Sequence, residues 1–154
     1  MAVYFFDSSA LVKRHVHESG SAWVRSLTRV KTAHTLYIAR ITAVEITSAI
    51  TRRQRAGSLS PAQAGAILGH FRRHLTQRYL ILELTPSLLA DAMLSARAHG
   101  LRAYDAVQLS AAIEVNRIYQ TGGLGPVILV SADRDLNSAG AALGLAVDDP
   151  TTHP

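Results

Sequence analysis

Short, unbroken apolar runs alternate with stretches of helical periodicity along the whole chain, and this alternation leaves few folds open to it. Ala2 to Phe6 is continuous and aromatic, as a strand covered on both faces reads. Leu36 to Ile41 is a second apolar, β-branched run, Tyr79 to Leu84 a third and Val127 to Val130 the clearest; Leu145 to Val147 adds an edge strand. The intervals carry helix signals. Ser8 and Ser9 offer caps for a helix through Ala10, Leu11 and Val12, and Gly20-Ser21 opens one containing Trp23, Val24 and Leu27. Thr42 offers a cap for a helix with Val44, Ile46 and Ile50. Ser60-Pro61 and Thr85-Pro86 are cap-then-proline starts, the second helix ending at Gly100. A further helix starts near Tyr104, and a short last one runs through Leu136 and Ala142 to Gly144. Strands alternating with helices predict an α/β fold around a parallel sheet of four to five strands.

With 154 residues, 48% of them hydrophobic, the chain suits one domain, expected over residues 1–148, with 149–154 as a short irregular tail. No run approaches the roughly 20 apolar residues that span a bilayer, and no secretory signal opens the sequence, so no membrane partner and a cytoplasmic location are expected. The absence of cysteine excludes disulfides, zinc-thiolate sites and a thiol nucleophile, so any metal must be held by oxygen or imidazole. A net charge of +5 suits an anionic partner. Basic residues cluster at Arg52-Arg53-Gln54-Arg55 and Arg72-Arg73-His74; if four of the 11 acids share one pocket, seven are left against 16 basic groups elsewhere.

Four acids fall where such a fold collects ligands, beyond the carboxyl ends of the strands. Asp7 and Asp133 directly follow strands, while Glu45 and Asp105 lie in the first turns of helices. Helix starts favour acids in any case, because the dipole and the free N–H groups stabilise them. Asp105 with Gln108 reads as a capping box, and Asp133 as a cap for the helix of Leu136. Asp7 resists that reading, since its apolar surroundings make an unpaired charge expensive. Glu45 shares a helical face with Ala49 and Arg52, which puts a guanidinium one or two turns from the acid, able to hold a phosphate or to pair within the fold. Asp135 is the rival of Asp133. The histidines form no ligand motif and are expected at the surface; Gly122 to Gly125 lacks the lysine and serine of a phosphate loop and reads as a turn.

Four blocks in order carry a family likeness: Tyr4 to Lys13, Thr42 to Ala49, Leu101 to Leu109 and Val130 to Leu136. With them the sequence resembles PIN-domain ribonucleases, especially VapC-like toxins of toxin-antitoxin pairs. The resemblance implies a PIN-like three-layer sandwich, a parallel sheet flanked by helices. It further implies an Mg²⁺ or Mn²⁺ site made by Asp7, Glu45, Asp105 and Asp133, with Ser9 adding a hydroxyl; Arg52 and Lys13 are candidate phosphate contacts for the reaction such a site would run. An RNA substrate, a cognate antitoxin and a homodimer are the partners it implies. The expected activity is metal-dependent hydrolysis of RNA phosphodiesters. The alternatives are a catalytically weak RNA-binding or regulatory module of this fold and an aspartyl phosphotransferase, for which Asp7-Ser8-Ser9 lacks a second aspartate two residues on.

Overall fold

A computed structural model describes residues 1–153. The strands are β1 (Val3–Phe6), β2 (Thr35–Ala39), β3 (Leu80–Leu82), β4 (Val127–Val130) and β5 (Ala146–Asp148). The α-helices among the described residues are α1 (Ser8–Leu11), α2 (Ser21–Leu27), α3 (Arg40–Arg55), α4 (Pro61–Gln77), α5 (Pro86–His99), α6 (Ala103–Thr121) and α7 (Arg134–Ala142). All pairings are parallel and the sheet order is β3-β2-β1-β4-β5. β1 is therefore central, with Phe5 opposite Tyr37 on one side and opposite Leu129 on the other.

Period-two alternation sends neighbouring side chains to opposite layers. Phe5, Val127 and Leu129 pack under α5, α6 and α7, with Leu88, Leu109 and Leu136. Phe6, Leu36, Ile38 and Val130 pack under α1 to α4, with Leu11, Val24, Ile46, Ile50 and Phe71. Phe5 and Phe6 are fully buried, which contributes about 1.5–3 kcal/mol for each ring. The result is the expected α/β sandwich of helices, parallel sheet and helices.

Helix starts at α4 and α5 follow the sequence signals. Ser60 and Gln63 form a reciprocal capping box, Thr85 Oγ1 accepts from the Leu88 amide at 3.1 Å, and Gly100 closes α5 at a φ of 64°. Other boundaries differ. Asp7, not Ser8 or Ser9, caps α1. α3 begins at Arg40 behind Ala39, which gives no side-chain cap, so Thr42 lies inside the helix and Glu45 in its second turn rather than its first. β3 is shorter than Tyr79 to Leu84, pairing only from Leu80 to Leu82 opposite Tyr37 to Ala39, where β2 ends and α3 begins.

The histidines and the terminal segment also differ from expectation. His74 is buried and His15 partly so; with His70 they form a ring cluster, His15 to His70 at 5.6 Å and His70 to His74 at 4.2 Å. Burial and the nearby Arg14 charge push His15 down to about 3 and His74 to about 4, so both are neutral near pH 7. Asp149 caps a short 3₁₀ turn at Pro150–Thr152 within the segment expected to be irregular, and His153 stacks on Trp23 with ring centroids 4.1 Å apart. Gly20, at a φ of 82°, opens α2 directly beneath Pro150; a Cβ there would overlap the Pro150 carbonyl. Gly20→Ala therefore meets both left-handed backbone strain and a clash, and is expected to cost roughly 3 kcal/mol by urea denaturation. A loss below about 0.5 kcal/mol would show that the terminal turn does not hold α2.

Candidate acidic active site

The chain reverses its direction of travel across the sheet between β1 and β4, which makes their carboxyl ends a topological switch point. Asp7 leaves β1 there and Asp133 follows β4 after Ser131 and Ala132. A cleft of about 430 Å³ opens at this edge; its lining includes Asp7, Ser9, Glu45, Arg52, Arg102, Tyr104, Asp105 and Asp133. All four acids singled out from the sequence thus line one cavity, delivered by the ends of β1 and β4 and by α3 and α6.

Asp7 is 2% exposed. Its Oδ2 accepts from the Ser9 amide at 3.0 Å, from the Ser9 hydroxyl in a short bond and from the Ser131 hydroxyl at 3.4 Å. Ser9 Oγ in turn accepts from the Ala132 amide at 3.0 Å. Asp133 caps α7, Oδ1 accepting from the Leu136 amide at 2.9 Å, so the capping reading of Asp133 holds while its other oxygen faces Arg102. Asp105 is no partner in a capping box: Gln108 is fully buried and donates to Glu45 Oε2 at 2.6 Å and to Thr42 Oγ1 at 2.9 Å. The Gln108 Oε1 is buried without a hydrogen bond, a cost of about 1–3 kcal/mol accepted to hold Glu45. Arg102 Nε donates to Asp105 at 3.0 Å and its Nη2 to Asp133 at 3.1 Å.

Arg52 lines the cleft two turns along α3 from Glu45, with Ala49 between them on the same face. Lys13 does not line it: the side chain is buried and its ammonium pairs with Glu18 at 3.2 Å. Asp135 is exposed on the first turn of α7, outside the lining. Arg102, Tyr104 and Ser131 carry no site role in the sequence reading, and Thr42 and Gln108 figure there only as helix caps. The signals were present in part, since Ser131 sits at the end of the clearest strand and Gln108 lies one turn beyond Asp105.

Crowded, half-dry carboxylates resist ionisation. Burial pushes Asp7 up, the Ser9 hydrogen bonds pull it back and the Asp105 charge adds to the rise. Burial lifts Glu45 to about 7, against the Gln108 hydrogen bond and with the charges of Asp7 and Asp105. Asp105 is raised by burial, opposed by Arg102 and reinforced by Asp133. Four carboxylates face two guanidiniums across the lining, Arg52 and Arg102, a formal balance of −2 when all are ionised. Among the described residues no three His, Asp or Glu side chains converge as a ready-made metal cage. Mg²⁺ does not require one, because it keeps several waters and uses one or two carboxylates directly. An oxygen-only donor set with excess negative charge fits a hard divalent cation.

Several solved structures share this architecture. The PAE2754 protein of Pyrobaculum aerophilum is 26% identical over 98% of this chain and 91% of that one, with a TM-score of 0.62. VapBC2 of Rickettsia felis, bound to a promoter DNA fragment, is 16% identical over 96% of this chain and 98% of that one, at a TM-score of 0.61. VapC20 of Mycobacterium tuberculosis, a toxin cleaving the sarcin-ricin loop, is 15% identical over 93% of this chain and 96% of that one, at 0.63. At such identities the last two speak for the fold alone. No curated protein matches the chain significantly. A family model for the PIN domain matches residues 4–142, all four acids included, and the chain belongs to the PIN domain family.

Proposed function

We propose that this chain is a metal-dependent endoribonuclease that hydrolyses RNA phosphodiesters as the toxin of a toxin-antitoxin pair. The observation that carries the reading is the placement of Asp7, Glu45, Asp105 and Asp133 on one cleft at the switch point of a PIN fold. These carboxylates would hold Mg²⁺ or Mn²⁺, which supplies an activated water and offsets charge on the phosphate. Arg52 and Arg102 line the same cleft and offer guanidinium forks to phosphate oxygens. Glu45, oriented by the Gln108 amide at 2.6 Å, would take the proton of the attacking water at its carboxylate as the phosphorus to leaving-oxygen bond breaks, the leaving oxygen being protonated from solvent. Ser9 and Ser131 keep Asp7 oriented.

The net charge of +5 supports a polyanionic substrate drawn to the acidic cleft by the surrounding surface. Likeness to toxin-antitoxin assemblies supports an antitoxin partner for this chain as well. A homodimer is proposed with it, for which Leu89, Met93 and Leu94 give α5 exposed apolar side chains. No described helix is long and apolar enough to cross a membrane, and a cytoplasmic location is proposed with the toxin role.

Purified protein is expected to cut RNA with Mn²⁺ or Mg²⁺, to stop in EDTA, and to lose more than about a hundredfold in rate as Asp7→Asn. Full cleavage by that variant or in EDTA would refute the metal site, while RNA binding without cleavage would favour the weak-module alternative. A second expectation concerns stability. Glu45 has its folded pKa raised from 4.5 to about 7, so its contribution is complete below about 4.5 and is lost as pH rises through 7. Removing that charge should help the metal-free fold at high pH: after discounting for solvent screening, Glu45→Gln should be about 1–2 kcal/mol more stable than the wild type at pH 8. At pH 4.5 the two should be nearly equal. Urea denaturation in EDTA at both pH values checks this, and a variant less stable at pH 8 would contradict it.

A further inference from the structure

Arg102 is an unusual residue to find at the start of α6. It occupies the N-cap position, where the helix dipole disfavours a cation, and its side chain is 80% exposed. Even so, its guanidinium is committed at two atoms, to Asp105 Oδ2 and to Asp133 Oδ2, on two different elements. Exposed ion pairs return little free energy and hold a long side chain in one rotamer, so this tie is a weak way to fasten α6 to α7. The two oxygens it occupies are among the donors that the nuclease reading gives to the cation.

We infer that Arg102 is a positioning and substrate-binding residue with two stations. In the metal-free protein its guanidinium bridges Asp105 and Asp133 as an internal counter-ion. Once these carboxylates pass to a divalent cation, like-charge repulsion and the loss of both acceptors release the guanidinium, which then takes a phosphate of the RNA strand. Arg102 thereby lowers affinity for the cation alone and makes cation and RNA binding mutually reinforcing. The inference rests on the metal-dependent reading above.

The test compares wild type with Arg102→Gln. Calorimetric titration with Mn²⁺, without RNA, should show roughly three- to tenfold tighter binding to the variant. Fluorescence anisotropy of a labelled single-stranded oligoribonucleotide should show about tenfold weaker RNA binding by the variant in Ca²⁺, which takes the same oxygen donors. In EDTA, where Arg102 is held by the acids, the loss should be within about twofold. Arg102→Ala removes both the charge and the fork, so it should likewise tighten Mn²⁺ binding, and it serves if the glutamine variant does not fold. Unchanged or weaker Mn²⁺ binding by the folded variants overturns the inference, as does an equal RNA loss in Ca²⁺ and EDTA, which would mark Arg102 as a plain surface charge. If the wild type takes up neither cation, the nuclease reading falls and this inference with it.

Discussion

The edge of this sheet is organised around one carboxylate taken out of water. Asp7 ends the central strand at 2% exposure, and burying such a charge costs several kcal/mol unless the surroundings answer it. Two hydroxyls answer it from both sides of the switch point. Ser9 comes from α1 and Ser131 from the end of β4, and each hydroxyl also takes a backbone amide while lying 3.4 Å from the other. Ser9 Oγ also accepts from the Ala132 amide, and Ser131 Oγ from the Asp133 amide at 3.0 Å. The turn that aims Asp133 is thus held by the same groups that stabilise Asp7. Position and charge of the two acids are a single arrangement.

The other wall depends on a different buried polar contact. α3 belongs to one helical layer and α6 to the other, and beyond the strand ends Gln108 reaches across to Thr42 and Glu45. The amide fixes Glu45 without neutralising it, leaving the carboxylate high in pKa and short of a cation. Arg102 then covers Asp105 and Asp133. Order and electrostatic frustration coexist here, the combination that the proposed cation site requires.

Much of this was legible from residue pattern. Continuous apolar runs marked the buried strands, Ser60-Pro61 and Thr85-Pro86 marked their helices, and the spacing of Glu45, Ala49 and Arg52 put those three on one helical face, which in the fold lines the cleft. What escaped had no local signature. α3 starts on an alanine with no side-chain cap, so Thr42 drew the boundary too late and its buried hydroxyl went unassigned. Gln108 imitated a capping partner of Asp105 because i,i+3 spacing serves both purposes. Lys13 lies in a block that matches the family, yet its rotamer is settled by Glu18, which also pairs with Arg53 of α3. His15 meets His70 and Phe71 only after α4 folds back, and Pro150 meets Gly20 only in the finished domain.

An all-parallel sheet with its first strand in the middle also sets an order of assembly. β1 can pair with β2 once Thr35–Ala39 has been made, but its other edge waits for Val127–Val130. Until then Val3 to Phe6 presents an apolar edge with open hydrogen bonds, a surface prone to mispairing. Ser131 and Asp133 arrive with β4, so a growing chain carries Asp7 long before it carries the groups that make Asp7 useful. The cleft is complete only when nearly the whole domain has been synthesised, so the hydrolysis proposed for it is out of reach of partial chains.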